Sequence, residues 1–232
     1  MGQSVSEGVE SLLAARGYGY RLLHRVFGAD PAPDLVSLAE DPAFLNLLAL
    51  CSESEGDAFA RLGAVVSGLG TDDDAVAALK SEHTVLFVGP GKLAAPPWES
   101  MYVGQEGRLF QESTLAVRYA YAEFGFRPVE YKKVADDHLA LMMDFMARMA
   151  AKSLDAFTCG NRDELGRTLA GQRSFIDEHL LNWVPRYAED VAGARVSAFY
   201  ESFANAAVGF FRIDREVIGE VQEALALSDG AA

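Results

Sequence analysis

Two consecutive prolines, Pro96 and Pro97, interrupt a chain that otherwise reads as helix. Proline has no backbone N–H and pushes the residue before it out of the helical region, so Ala95-Pro96-Pro97 must run extended. The surrounding stretch, His83 to Tyr102, reads HTVLFVGPGKLAAPPWESMY. It begins as the apolar end of a helix at Val85-Leu86-Phe87-Val88, breaks at Gly89-Pro90-Gly91 and restarts at Trp98-Glu99-Ser100-Met101-Tyr102. An extended segment between two apolar helices is costly to order. A plain linker has no need to gather Phe87, Trp98 and Tyr102 so closely. Each aromatic alone reads as a pin fastening a loop to the core; the combination points to a functional surface.

On either side of this corner, apolar residues recur at helical spacing. Helices are expected over Val5 to Phe27, Asp34 to Glu40, Pro42 to Cys51 and Asp57 to Leu69. A hydroxyl at Thr71 followed by Asp72, Asp73 and Asp74 suits the start of the helix that runs into the central stretch. Ser113-Thr114 can cap a helix closed by Gly125, and Asp136-Asp137 sit where a helix N-terminus favours carboxylates, ahead of an apolar segment to Phe157. Further helices are expected up to Trp183, from Tyr187 to Phe211, and from Asp214 to Leu227. No segment shows the period-2 alternation of strands. The expected fold is all-α, a single globular domain over residues 1–232, a bundle of roughly ten helices. A hinge is expected at 126–135. Irregular backbone should concentrate at Gly89–Tyr102 and Arg127–Ala135.

The 232 residues carry a net charge of −14, which disfavours nucleic acid and anionic membranes, both of which select Lys and Arg. A basic partner is favoured instead. Mean hydropathy of +0.06 and the lack of a long apolar run give no transmembrane segment. The polar, acidic start MGQSVSEGVE is not a secretory signal. Cys51 and Cys159, the two cysteines, have no metal-ligand spacing and make no disulfide framework, which fits a reduced cytoplasmic protein.

Gly89-Pro90-Gly91-Lys92 lacks the glycine spacing and the Ser or Thr of a phosphate loop. Asp136-Asp137-His138 is the one cluster with chemistry in it, suited to acid–base work, to metal or simply to capping. Met142, Met143, Met146 and Met149 read first as core filler and second as an adaptable binding surface. His179 and Trp183, at i and i+4, read as a packing pair.

Taken in order, several pieces resemble the TorD/DmsD family of redox-enzyme maturation chaperones. They are Leu86-Phe87-Val88-Gly89-Pro90, Ala95-Pro96-Pro97-Trp98-Glu99-Ser100-Met101-Tyr102, Glu112 to Arg118, Phe124-Gly125-Phe126, Asp136-Asp137-His138-Leu139-Ala140-Leu141 with Asp144-Phe145-Met146, and His179-Leu180 with Trp183-Val184-Pro185. The resemblance runs from about residue 80 to 185. It implies an all-α cytoplasmic chaperone, not an enzyme, that binds the twin-arginine signal peptide and the body of a molybdopterin oxidoreductase and assists cofactor insertion before export. It implies no bound cofactor or metal, and a monomer or a domain-swapped dimer. The family's binding surface carries over to Leu86, Phe87, Trp98, Asp137 and His138. Val134-Ala135 stands where the family has Glu-Pro, and His83 where some members have an aromatic residue.

The residues read without the resemblance agree. A basic pair followed by an apolar run is complementary to an acidic protein with an aromatic groove. Asp136, Asp137 and Glu99 are the candidate acceptors for arginine, beside Trp98 and Tyr102. The competing reading is a small metal-dependent hydrolase using Asp136, Asp137, His138 and His179.

Overall fold

The computed structural model describes residues 3–89, 91–104, 109, 111–128 and 135–229. Among these residues the regular structure is helical throughout: ten α-helices and no strand. In chain order they are α1 (Gln3–Gly28), α2 (Pro33–Val36), α3 (Pro42–Ser52), α4 (Gly56–Ser67), α5 (Asp73–His83), α6 (Glu112–Glu123), α7 (Leu139–Thr158), α8 (Arg162–Phe175), α9 (Val184–Ala194) and α10 (Ala198–Asp229). α5 and α8 each run on into a π-helical turn, Thr84–Val88 and Ile176–Leu180, and a 3-10 turn spans Glu99–Met101. No described helix is long and apolar enough to cross a membrane.

α7 is the central helix, flanked by α1 and α8, while α10 packs on α1, α4 and α9. Met142, Met143 and Met146 are fully buried and Met149 nearly so, so the methionines fill the core and form no groove. α1 closes tightly on α7: a Cβ on Gly28 would stand 2.7 Å from the Cβ of Ala140. A second tie joins α1 to α10. The buried Arg16 guanidinium grips both carboxylate oxygens of buried Asp214, and the Tyr20 hydroxyl donates to Asp214 Oδ2 at 2.6 Å.

Several helix boundaries differ from those expected, each for a local reason. Asp72, not Thr71, caps α5, its side chain accepting from Ala75 N at 2.9 Å. α6 begins at Glu112 with no side-chain cap, and Thr114 turns inward. The helix expected from Tyr187 to Phe211 is broken after α9, where Arg195 adopts a left-handed conformation (φ 53°). No break occurs before Asp214, because that carboxylate is taken up by α1 and caps nothing. α7 likewise starts at Leu139, not Asp136. Of the hinge and irregular segment expected around 126–135, residues 129–134, Val134 included, lie outside the described residues, as does Pro90.

The N-cap of α7 is His138, whose Nδ1 accepts from Ala140 N at 3.1 Å. An accepting Nδ1 must be unprotonated. Burial pushes the His138 pKa down to about 4, with His24 and His83 acting in the same direction against Asp137.

Two outcomes are expected. Asp214→Ala leaves Arg16 charged and buried without its partner and should lower stability by about 3–5 kcal/mol in denaturant titration, whereas Arg16→Met with Asp214→Leu should recover most of that loss. For His138, the unfolded chain takes up its proton near pH 6.5, while the folded chain resists until about pH 4. Stability should therefore fall as pH drops through that window, by up to roughly 3 kcal/mol, and level off below it. His138→Asn keeps a capping acceptor and should flatten that part of the pH–stability curve.

Candidate functional site

The segment carrying Trp98 is fastened to the head of α7. Pro96 and Pro97 have no N–H to give, so this part of the loop is held through a carbonyl: Leu139 N donates to Pro97 O at 2.9 Å. Trp98 N turns back to Pro96 O at 3.0 Å, and Glu99 N then donates to Asp137 O at 3.1 Å; the Leu139 and Glu99 bonds pair Trp98 with His138 as an isolated antiparallel bridge. The Asp137 side chain completes the joint, its Oδ2 accepting from Ser100 N at 2.8 Å. Downstream, Gln111 Nε2 donates to Ser100 O at 2.9 Å and Arg186 donates to Tyr102 O at 2.7 Å.

This joint sorts the expected site residues into two groups. Leu86 is fully buried, as are Asp136, Asp137 and, within 2%, Glu99. Their side chains are engaged internally. Asp136 Oδ2 accepts from Arg118 Nε at 2.5 Å, and the Asp136 carbonyl accepts from the Tyr121 hydroxyl at 3.0 Å. Glu99 meets His179 Nδ1 at 3.1 Å and Asn182 at 3.4 Å; burial raises its pKa, against the pull of those two partners. Neither aspartate therefore presents an open carboxylate to solvent.

Phe87, Trp98, Tyr102 and His138 are partly exposed. Phe87 sits edge-on to Phe27, Tyr200 and His83, and flanking Val85 and Val88 are 56% and 61% exposed. Trp98 stands edge-on to the His138 ring at 5.0 Å, and its indole N–H has no acceptor among the described residues. Tyr102 leans on Trp183 at 5.3 Å under the Arg186 guanidinium, and reaches Phe87 through Tyr187 and Phe27 by successive ring contacts.

Three partners were not anticipated. His179 is not paired with the Trp183 ring: the Trp183 indole donates to the His179 carbonyl at 2.7 Å, which leaves the imidazole for Glu99. Asn182 completes that contact, and Arg118 neutralises Asp136. No local pattern announces these pairs, since Glu99 and His179 are 80 residues apart. Asp136, Asp137, His138 and His179 each turn to a different partner. Among the described residues no three His, Cys, Asp or Glu side chains converge as a metal ion requires.

The comparisons with known proteins bear on this arrangement. A family model described as nitrate reductase delta subunit matches residues 51–189, well over half of the chain. A chaperone protein TorD from Vibrio parahaemolyticus is 30% identical over 142 residues, covering 61% of this chain and 65% of that protein. A probable Tat proofreading chaperone DmsD from Haemophilus influenzae is 28% identical over 126 residues, 54% of this chain and 55% of that one. The aligned part thus spans just under two-thirds of the first of these relatives and about half of the second. A crystal structure from Archaeoglobus fulgidus, assigned as a redox enzyme maturation protein, is 21% identical with a TM-score of 0.48, covering 85% of this chain and 93% of that one. By the matched family model and these relatives, the chain belongs to the nitrate reductase delta subunit family, that of the TorD/DmsD chaperones.

Proposed function

We propose that this protein is a cytoplasmic maturation chaperone that binds the twin-arginine signal peptide of a molybdopterin oxidoreductase and assists insertion of its cofactor before export, without catalysing a reaction itself. The observation that carries the reading is Trp98. Its indole is partly exposed, held edge-on to His138 on a loop tied down at Pro97, Glu99 and Ser100. A rigid, partly exposed aromatic costs little entropy to bind with, which is the character of an interface anchor.

Phe87, flanked by exposed Val85 and Val88, offers a second apolar surface to the client. Family membership and the net charge of −14 support a basic client segment. In this reading Leu86, Asp136, Asp137 and His138 act by positioning: they hold the aromatic side chains that touch the peptide.

Trp98→Ala should weaken binding of a twin-arginine peptide by about 1–3 kcal/mol in calorimetric titration, with little change in melting temperature. Unchanged affinity in the folded variant would return Trp98 to a packing role. Asp137 should behave differently. Asp137→Ala strands the Ser100 N–H and should cost about 1–3 kcal/mol of stability. Asp137→Asn keeps an acceptor there, and should restore most of that stability and bind the peptide like the parent protein.

A further inference from the structure

The proposed client segment carries an arginine pair, yet Asp136 and Asp137, the obvious acceptors in sequence, are sealed inside. An acidic surface elsewhere answers the need. Two open clefts run along α6, the first between it and α8, the second between its N-terminal turns, the 99–104 segment and the π-helical turn Ile176–Leu180. The first, of about 580 Å³, has Phe145 and Phe175 in its lining with Tyr119, Phe124 and Ala170. Phe124 reaches in because α8 carries no side chain at Gly171, where a Cβ would stand 2.2 Å from the ring. The second, of about 960 Å³, is lined by Glu99, Glu112 and Glu178 with Gln111, Leu115 and Asn182. The clefts share Ala116, Glu178 and His179, so they form one continuous trench.

The two halves differ in chemistry. The second half holds two exposed carboxylates, Glu112 and Glu178, above the buried Glu99 and, among the described residues that line it, no lysine or arginine. The first half is mainly aromatic and small-chained; among its described lining residues the charged ones are Glu123, the shared Glu178 and Arg167, whose guanidinium lies over the Phe124 ring. Along the rim of α6, Leu115 and Tyr119 are four residues apart and 45% and 72% exposed, an apolar ridge that the fold leaves uncovered. An acidic mouth continuous with an aromatic trough matches a segment that is basic at one end and apolar along its length.

We propose that this trench receives the client's signal segment, with the arginine pair between Glu112 and Glu178 and the apolar run against Leu115, Tyr119 and the Phe124–Phe175 floor. The proposal rests on the function proposed above and adds to it the site of the charge. Guanidinium suits this mouth because it bonds two carboxylates in a plane, and the Glu99–His179 contact below supplies a fixed polar floor. Trp98 directly precedes Glu99, the first residue of the 3-10 turn. One faces His138 and the other His179, so the turn joins the aromatic shelf to the trench.

The test uses the full chain and two synthetic peptides: an arginine pair followed by an apolar run, and the same peptide with the pair replaced by glutamine. Glu112 and Glu178 are exposed, so Glu112→Gln with Glu178→Gln should fold normally, and Glu178→Gln retains an acceptor for the Ser174 hydroxyl. The parent protein should prefer the arginine peptide by tenfold or more at low salt. The double variant should lose most of that preference while binding the glutamine peptide as before, and Tyr119→Ser should weaken both peptides several-fold. Full arginine preference in the double variant, with Tyr119→Ser also neutral, overturns the trench and leaves the chaperone reading standing. Failure of the parent protein to bind either peptide overturns both. A fall in sedimentation mass on Tyr119→Ser with peptide affinity unchanged would assign the trench to a second copy of the chain, and also overturns the proposal.

Discussion

A double proline strips two hydrogen-bond donors from the segment that carries Trp98, so that segment cannot form a helix, and Trp98 N reaches no farther than Pro96 O, at 3.0 Å. It borrows its order from the head of α7. Pro97 offers a carbonyl to Leu139, Glu99 and Ser100 offer their amides to the backbone and side chain of Asp137, and Trp98 lies against His138. The start of α7 is therefore also the fixture for the loop. This explains why His138, and not a carboxylate, caps that helix: the Asp137 carboxylate is already committed to Ser100. The same joint makes the candidate surface sensitive to acid, since the cap requires a neutral imidazole.

The acidity of the chain is divided between two uses. Glu99, Asp136, Asp137 and Asp214 are buried, and each is matched to a specific partner: His179, Arg118, the Ser100 amide and Arg16. A buried carboxylate without such a partner is heavily penalised, so these four specify how loops and helices meet. Two exposed carboxylates have another place. Glu112 and Glu178 line the same cleft, between the start of α6 and the π-helical turn that follows α8, where they add negative charge.

Much of the architecture was legible in the chain. The absence of period-2 segments and the helical spacing of apolar residues specify an all-helical protein, and the methionine run along α7 belongs to its core. The misreadings concern residues whose local pattern has two meanings. Asp214 and the Asp136-Asp137 pair look like helix starts, because short acidic side chains favour N-termini. In the structure they satisfy cations or amides from other elements, so the helix boundaries move. Arg195 in a left-handed conformation breaks α9 from α10 without the glycine that usually marks such a stop.

The sequence by itself determined what is set by neighbours along the chain: helical periodicity, the extended corner at Pro96-Pro97, the net charge, and the ordered residues that mark the family. Only the tertiary structure decided which carboxylates face inward and which line the trench, that Glu99 meets His179 across 80 residues, and that Trp98 is held against His138. The physical reason is range. Backbone propensity acts over three or four residues and is written locally, whereas the pairing of a buried charge depends on which helices come into contact. That depends on close packing across the whole core, including α1 against α7 at Gly28 and α1 against α10 at Asp214.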